Sequence, residues 1–137
     1  LTVGPNVSMS AFHRALFVKT AATRGGYVRG VRVGPGVMVR STEEVIAVLR
    51  NYSDPNPANP PGWAPLRPSQ VSNLAFQGVT ATTTLAAGQF AGGDGASAPL
   101  DGLFLSDITV RNFSIPWLCS GNVSGRWTAD VAPTPCI

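Results

Sequence analysis

The chain is predicted to be all-β, with short parallel strands wound into a β-helix, on three observations. Leu1-Thr2-Val3-Gly4-Pro5-Asn6-Val7 and Val31-Arg32-Val33-Gly34-Pro35-Gly36-Val37 share one pattern: apolar, any residue, Val, Gly, Pro, turn-former, Val. Two looser echoes, Leu74-Ala75-Phe76-Gln77-Gly78-Val79 and Ile108-Thr109-Val110-Arg111-Asn112-Phe113, place similar units near positions 1, 31, 74 and 108; periods of this size mark stacked repeats. Within each unit apolar and other residues alternate, the period of a strand with one buried face. Gly-Pro, Gln-Gly or Arg-Asn then breaks the run, because Gly and Asn tolerate positive φ and Pro lacks a ladder donor. A β-sandwich is the competing fold, but its strands usually recur every ~8–12 residues.

Taken in order, residues 1–20 form a first coil ending in Ala15-Leu16-Phe17-Val18-Lys19-Thr20, and residues 24–40 form a second, rich in arginine. Ser41-Thr42-Glu43-Glu44 has the form of a helix capping box before Val45-Ile46-Ala47-Val48-Leu49. The repeat requires a strand at 45–49, and the strand is the reading adopted. Residues 53–68, with Asp54-Pro55-Asn56-Pro57 and Asn59-Pro60-Pro61-Gly62, read as a long rigid loop. The Gly88–Gly95 stretch lacks the Gly-Lys-Ser/Thr ending of a phosphate loop and reads as a corner between the last two units.

A chain of 137 residues can bury one core yet holds few coils of such a fold. The first residue already lies inside a repeat unit, so residues 1–137 are expected to be the C-terminal part of one longer β-helix domain. No stretch approaches the ~20 apolar residues of a membrane span. Cys119 and Cys136 fall in the last nineteen residues. A disulfide there would close a terminus that tends to fray and would imply an oxidising compartment; two buried free thiols are the alternative. Asn-x-Ser sequons at Asn6, Asn51, Asn112 and Asn122 are glycosylation candidates and add weight to a secreted, extracellular protein.

Arg14, Lys19, Arg24, Arg29 and Arg32 lie within nineteen residues that contain no Asp or Glu, the densest positive stretch in a chain of net charge +3. Such a patch favours a polyanion, either nucleic acid or acidic polysaccharide, with a solvated strand face as the bland alternative. The expected disulfide and the absence of helix-turn-helix, zinc-finger or RNA-recognition patterns weigh against nucleic acid. One histidine and two cysteines cannot meet zinc spacing, so no metal or other cofactor is expected. Trp63 in the Pro-rich loop is a candidate for stacking on sugar rings, whereas Trp117 and Trp127 flank the cysteines and read as core or cap residues.

Ala15-Leu16-Phe17-Val18-Lys19-Thr20 followed by Arg24-Gly25-Gly26-Tyr27-Val28 resembles the Lys-Thr and Arg-Gly-Gly segment of family 28 glycoside hydrolases, the polygalacturonases. The end is similar as well: Pro116-Trp117-Leu118-Cys119-Ser120, Val123-Ser124-Gly125 and the Pro133-x-Pro135-Cys136 stretch resemble the cysteine-closed C-terminus of plant-type members. The resemblance implies a right-handed parallel β-helix and inverting hydrolysis of α-1,4-galacturonan in pectin, with the full-length protein a monomer. Where such enzymes commonly have Arg-Ile-Lys, this chain has Phe17-Val18-Lys19, so Lys19 keeps the place of a lysine that contacts a substrate carboxylate. A lysine offers a point charge where an arginine fork would hold a carboxylate at two points, which implies weaker or shifted uronate binding. Arg24 is carried over as a second substrate contact, and Tyr52 as a groove tyrosine or a packed strand-end aromatic.

Inverting glycosidases need a carboxylic acid and a carboxylate base on opposite sides of the sugar. The resemblance puts them in Asn-Thr-Asp and Asp-Asp segments N-terminal to the Lys19 strand, and no such segment occurs here. His13 reads as a turn residue, and neither Glu43-Glu44 nor Asp94, Asp101 and Asp107 are promoted to acid and base; the chain alone is expected to be inactive. A non-catalytic β-helix that binds acidic wall polysaccharide, without nucleic-acid or membrane partners, is the alternative function.

Overall fold

The computed structural model describes residues 1–21, 25–41, 43–50, 52, 69–93 and 99–137. Twelve strands and no helix make up these residues: β1 (Thr2–Val3), β2 (Val7–Ala11), β3 (Arg14–Lys19), β4 (Tyr27–Val33), β5 (Val37–Ser41), β6 (Glu44–Leu49), β7 (Gln70–Thr82), β8 (Ala86–Ala91), β9 (Leu100–Arg111), β10 (Ile115–Ser120), β11 (Val123–Trp127) and β12 (Val131–Ala132). Every pairing among them is parallel. An eight-stranded sheet collects β1, β2, β4, β5, β7, β9, β11 and β12, and a four-stranded sheet runs β10-β8-β6-β3.

The register explains the repeated phrase. Thr2 pairs with Arg32 and Val3 with Val33, Val31 with Leu74 and Val33 with Phe76, so three of the four units lie in line as the sequence implies. The fourth is displaced. Leu74, Phe76 and Val79 pair with Leu103, Leu105 and Ile108, so the partner of the third unit begins at Leu103 and Ile108 ends it. The reason is local: Asp107 (φ 48°) and Asn112 (φ 62°) both turn the chain in the left-handed region, and each follows an apolar alternation. Asp107, not Asn112, stands beside Gly78 in the ladder.

This register stacks like on like. Val31, Leu74 and Leu103 form one buried column, Val33, Phe76 and Leu105 a second, and Val37, Val79 and Ile108 a third. Leu16, Ile46, Gly88 and Trp117 align across the four-stranded sheet. Each fully buried Val, Leu, Ile or Phe contributes roughly 1.5–3 kcal/mol over its exposed state, so these columns supply the main driving force for stacking. Trp117 lies flat on Phe90, with ring centroids 5.3 Å apart and planes 12° off parallel, and its indole N–H donates to the Pro133 carbonyl at 2.7 Å. Trp117 thus belongs to the core, while Trp127 is 41% exposed.

Glu44–Leu49 is a strand, as read from the repeat, and it extends the second unit beyond residue 40. The capping box fails because the Ser41 hydroxyl is drawn to the His13 carbonyl of the preceding unit, which also accepts the Glu43 and Glu44 N–H groups. The same groups that would start a helix close a corner between stacked strands. Gly88 is no corner either: Ala86–Ala91 is a strand, and Gly88 lies under the Trp117 ring and beside the Ile46 carbonyl, where a Cβ would collide with both. Cys119 and Cys136 are joined in a disulfide.

Candidate functional site

β3 and β6 build the site. Lys19 ends β3 opposite Leu49, and the chain continues through Thr20, whose N–H donates to the Leu49 carbonyl at 2.8 Å. Tyr52 is brought back alongside by its own N–H, which donates to the Thr20 carbonyl at 3.3 Å. Backbone bonding therefore fixes where the tyrosine ring sits relative to the lysine.

The exposed Lys19 ammonium lies 4.5 Å from the Tyr52 ring centroid and 5.9 Å from that of Phe17. Phe17 and Tyr52 meet edge to face, centroids 6.3 Å apart at 70°. A cation over aromatic faces is held by their quadrupoles, yet keeps its N–H donors for a ligand. Sequence reasoning treated Phe17 as the loss of a substrate-binding arginine. In the structure Phe17 is the floor on which two cations rest, because the Arg14 guanidinium also lies over it, at 5.1 Å.

Arg14 was not singled out beyond its charge, and its partner was missed. Its Nε–H donates to the buried Glu44 carboxylate at 2.5 Å, and this bond, with the surrounding carboxylate charge, raises the guanidinium further above its already high ordinary pKa despite partial burial. Beside it, His13 Nδ1 is 2.7 Å from Glu43 Oε1. The signal that could have found both pairs is the repeat itself: an offset of thirty residues, the distance from Leu1 to Val31, carries His13 onto Glu43 and Arg14 onto Glu44.

The basic stretch does not form one patch. Arg14 and Lys19 stand on the four-stranded sheet, while Arg29, over the Tyr27 ring at 4.7 Å, and Arg32 stand on β4 of the other sheet. Arg24, the second proposed substrate contact, lies outside the described residues, as do Asn51, Trp63 and Asp94. Asn6, Asn112 and Asn122 are exposed.

Below the site, Arg50 is fully buried. Its guanidinium donates to the Pro99 carbonyl at 2.8 Å, its Nε and the Thr20 hydroxyl find no hydrogen-bond partner among the described residues, and burial lowers its pKa. Four of the five described side-chain carboxylates have local partners: Glu43 has His13, Glu44 has Arg14, Asp101 has the Ser124 hydroxyl, and Asp130 has the Thr128 hydroxyl and the Asp107 N–H. No two of the described carboxylates are placed as acid and base on either side of Lys19. What the site offers is one exposed ammonium over two aromatic rings, beside a guanidinium already paired with a carboxylate. No protein-family model matches the chain, and no curated protein or solved structure matches it significantly.

Proposed function

We propose that this chain is part of a right-handed parallel β-helix that grips α-1,4-galacturonan at Lys19 and Tyr52, as the C-terminal portion of a secreted polygalacturonase-like hydrolase. The observation that carries the reading is the Lys19 ammonium poised over Tyr52 at the end of the strand whose residues resemble the family 28 segment. The ammonium would hold a uronate carboxylate and the tyrosine edge would meet the sugar ring. Parallel pairing of successive units with buried columns of apolar residues supports the β-helix, and the prevailing right-handed crossover between parallel strands supports the right hand. The Cys119–Cys136 bridge and the exposed sequons support an oxidising, extracellular setting. The hydrolytic acid and base would come from carboxylates other than the five described ones.

The commitment of Glu43, Glu44, Asp101 and Asp130 to local partners favours a second reading, a non-catalytic β-helix that binds acidic wall polysaccharide. Both readings require salt-sensitive binding of polygalacturonate, weakened by Lys19→Met, with a neutral glucan bound far less. Release of reducing ends from polygalacturonate separates them: under the first reading a longer protein carrying this chain together with the acid and base releases them, and under the second it binds without release. Equal binding of neutral glucan and polygalacturonate would remove both.

A further inference from the structure

The outer face of the eight-stranded sheet carries a groove of about 740 Å³, on β4, β7, β9 and β11, away from Lys19. Its volume lies in the range of sites that take small ligands or short oligomers. The register defines it: Arg32, Ala75, Phe104 and Arg126 stack on consecutive strands, all outward, because their neighbours Val33, Phe76 and Leu105 fill the core. Ala75 is the small member of that column and leaves a notch between Arg32 on one side and Phe104 on the other. At a strand spacing of about 4.8 Å, the rungs of Arg32 and Arg126 are roughly 14 Å apart, which calls for an extended ligand.

The chemistry of the lining selects among polyanions. Ion pairs among the described residues are His13–Glu43 and Arg14–Glu44, so neither the Arg32 nor the Arg126 guanidinium is ion-paired with a described carboxylate. Between and beside them stand acceptors. Asp101 uses one oxygen for the Ser124 hydroxyl at 2.6 Å and keeps the other, and Gln77 donates its N–H to Ser106 at 3.0 Å and keeps its carbonyl. A ligand that satisfies both sets needs carboxylates for the arginines and hydroxyl donors for Asp101 and Gln77. The Phe104 ring face is covered by the Arg126 guanidinium at 4.9 Å, so it is closed to base stacking. We propose that this groove is a second binding site, for an acidic oligosaccharide laid across the strands, independent of the Lys19 site.

The test measures oligogalacturonate binding calorimetrically in a Lys19→Met background, so that failure of the first site does not decide the second. Binding is expected to remain in that background, to fall about tenfold or more in an added Arg32→Gln/Arg126→Gln double substitution, since hydrogen bonds to charged groups are worth ~1.5–3 kcal/mol, and to fall similarly on Ala75→Glu. The last change keeps both arginines, fills the notch with a like-charged group, and can pair with Arg32, so it tests the groove without endangering the fold. Binding lost entirely with Lys19→Met, binding unaffected by both groove variants, or tighter binding of single-stranded DNA than of oligogalacturonate at equal salt would each overturn the proposal.

Discussion

Lys19 and Tyr52 are held 4.5 Å apart, ammonium to ring centroid, by a tyrosine backbone that bonds to the residue following the lysine. The contact positions the charge and leaves its donors free. Tyr52→Ala is therefore expected to weaken oligogalacturonate binding at this site by about two- to fivefold, the ~0.5–1 kcal/mol of an exposed cation–π contact, and Tyr52→Phe to preserve it. Titration of the two variants in an Arg32→Gln/Arg126→Gln background reads this out; a Tyr52→Phe loss as large as that of Tyr52→Ala would transfer the role from the ring to the hydroxyl.

Arg14 and Glu44 form an unequal pair, with the arginine side chain 28% and the carboxylate 5% exposed. Removing the carboxylate lets the arginine swing to water. Removing the arginine strands a buried charge. Arg14→Ala is expected to cost more than Glu44→Ala, roughly 2–4 kcal/mol against about 1, with the partial exposure of Arg14 holding both below fully buried values. Urea midpoints at pH 7 check the order.

Gly34 and Gly30 both have positive φ, 106° and 66°, and differ in what surrounds them. A Cβ at 34 would fall on the Gln77 carbonyl of the next strand, whereas nothing lies within 4 Å of one at 30. Gly34→Ala should cost roughly 3–5 kcal/mol, from overpacking and strain together, and Gly30→Ala about 1 kcal/mol, from strain alone. Denaturant midpoints of the two variants test whether stacking or backbone conformation keeps Gly in the repeated Gly-Pro phrase.

Much of the architecture was legible because stacking repeats a chemical demand at fixed intervals. Val31-x-Val33 and Leu74-x-Phe76 announce their pairing, as columns of inward side chains must be apolar from strand to strand. The fourth unit was misplaced by five residues because alternation is equally good at Leu103–Leu105 and Ile108–Val110, and only the ladder decides which left-handed residue stands beside Gly78. Lys19 and Tyr52 were found through resemblance, but not their contact, since no periodicity brings a residue after β6 back onto β3. The Arg14–Glu44 pair obeys the thirty-residue offset and was readable. It was hidden by the helix-like look of Ser41-Thr42-Glu43-Glu44, a local signal that the neighbouring His13 carbonyl overrides.

The Cys119–Cys136 bridge closes a segment with a sequence separation of 17, and Trp117 bonds to Pro133 inside it. Restricting an unfolded loop of that size is worth about 3 kcal/mol. Replacing both cysteines by serine should lower the thermal midpoint and loosen the terminal segment first. Faster exchange of the Trp117 indole proton than of the β7 and β9 amides is the expected sign, and uniform exchange across the chain would mean that the bridge is not a local clasp.

Asp130 joins the last turn to the column of left-handed residues. Its carboxylate accepts from the Thr128 hydroxyl and from the Asp107 N–H, the latter at 2.9 Å, and in that order these bonds hold its pKa below the ordinary 3.8. Because the folded value lies below the unfolded one, the unfolded chain takes up the proton first as pH falls. The stabilisation is full above about 3.8 and is lost as pH drops through the lower folded value. The group is solvent-exposed, so the effect on global stability should be small, and a site-resolved readout is needed. Carbon-detected NMR titration should give Asp130 a midpoint below 3.8. The Asp107 amide shift should change over the same pH interval, and in Thr128→Val the midpoint should rise. An Asp130 midpoint at or above the ordinary value, or an Asp107 amide insensitive to it, would remove this contact from the account of how the chain's end is held.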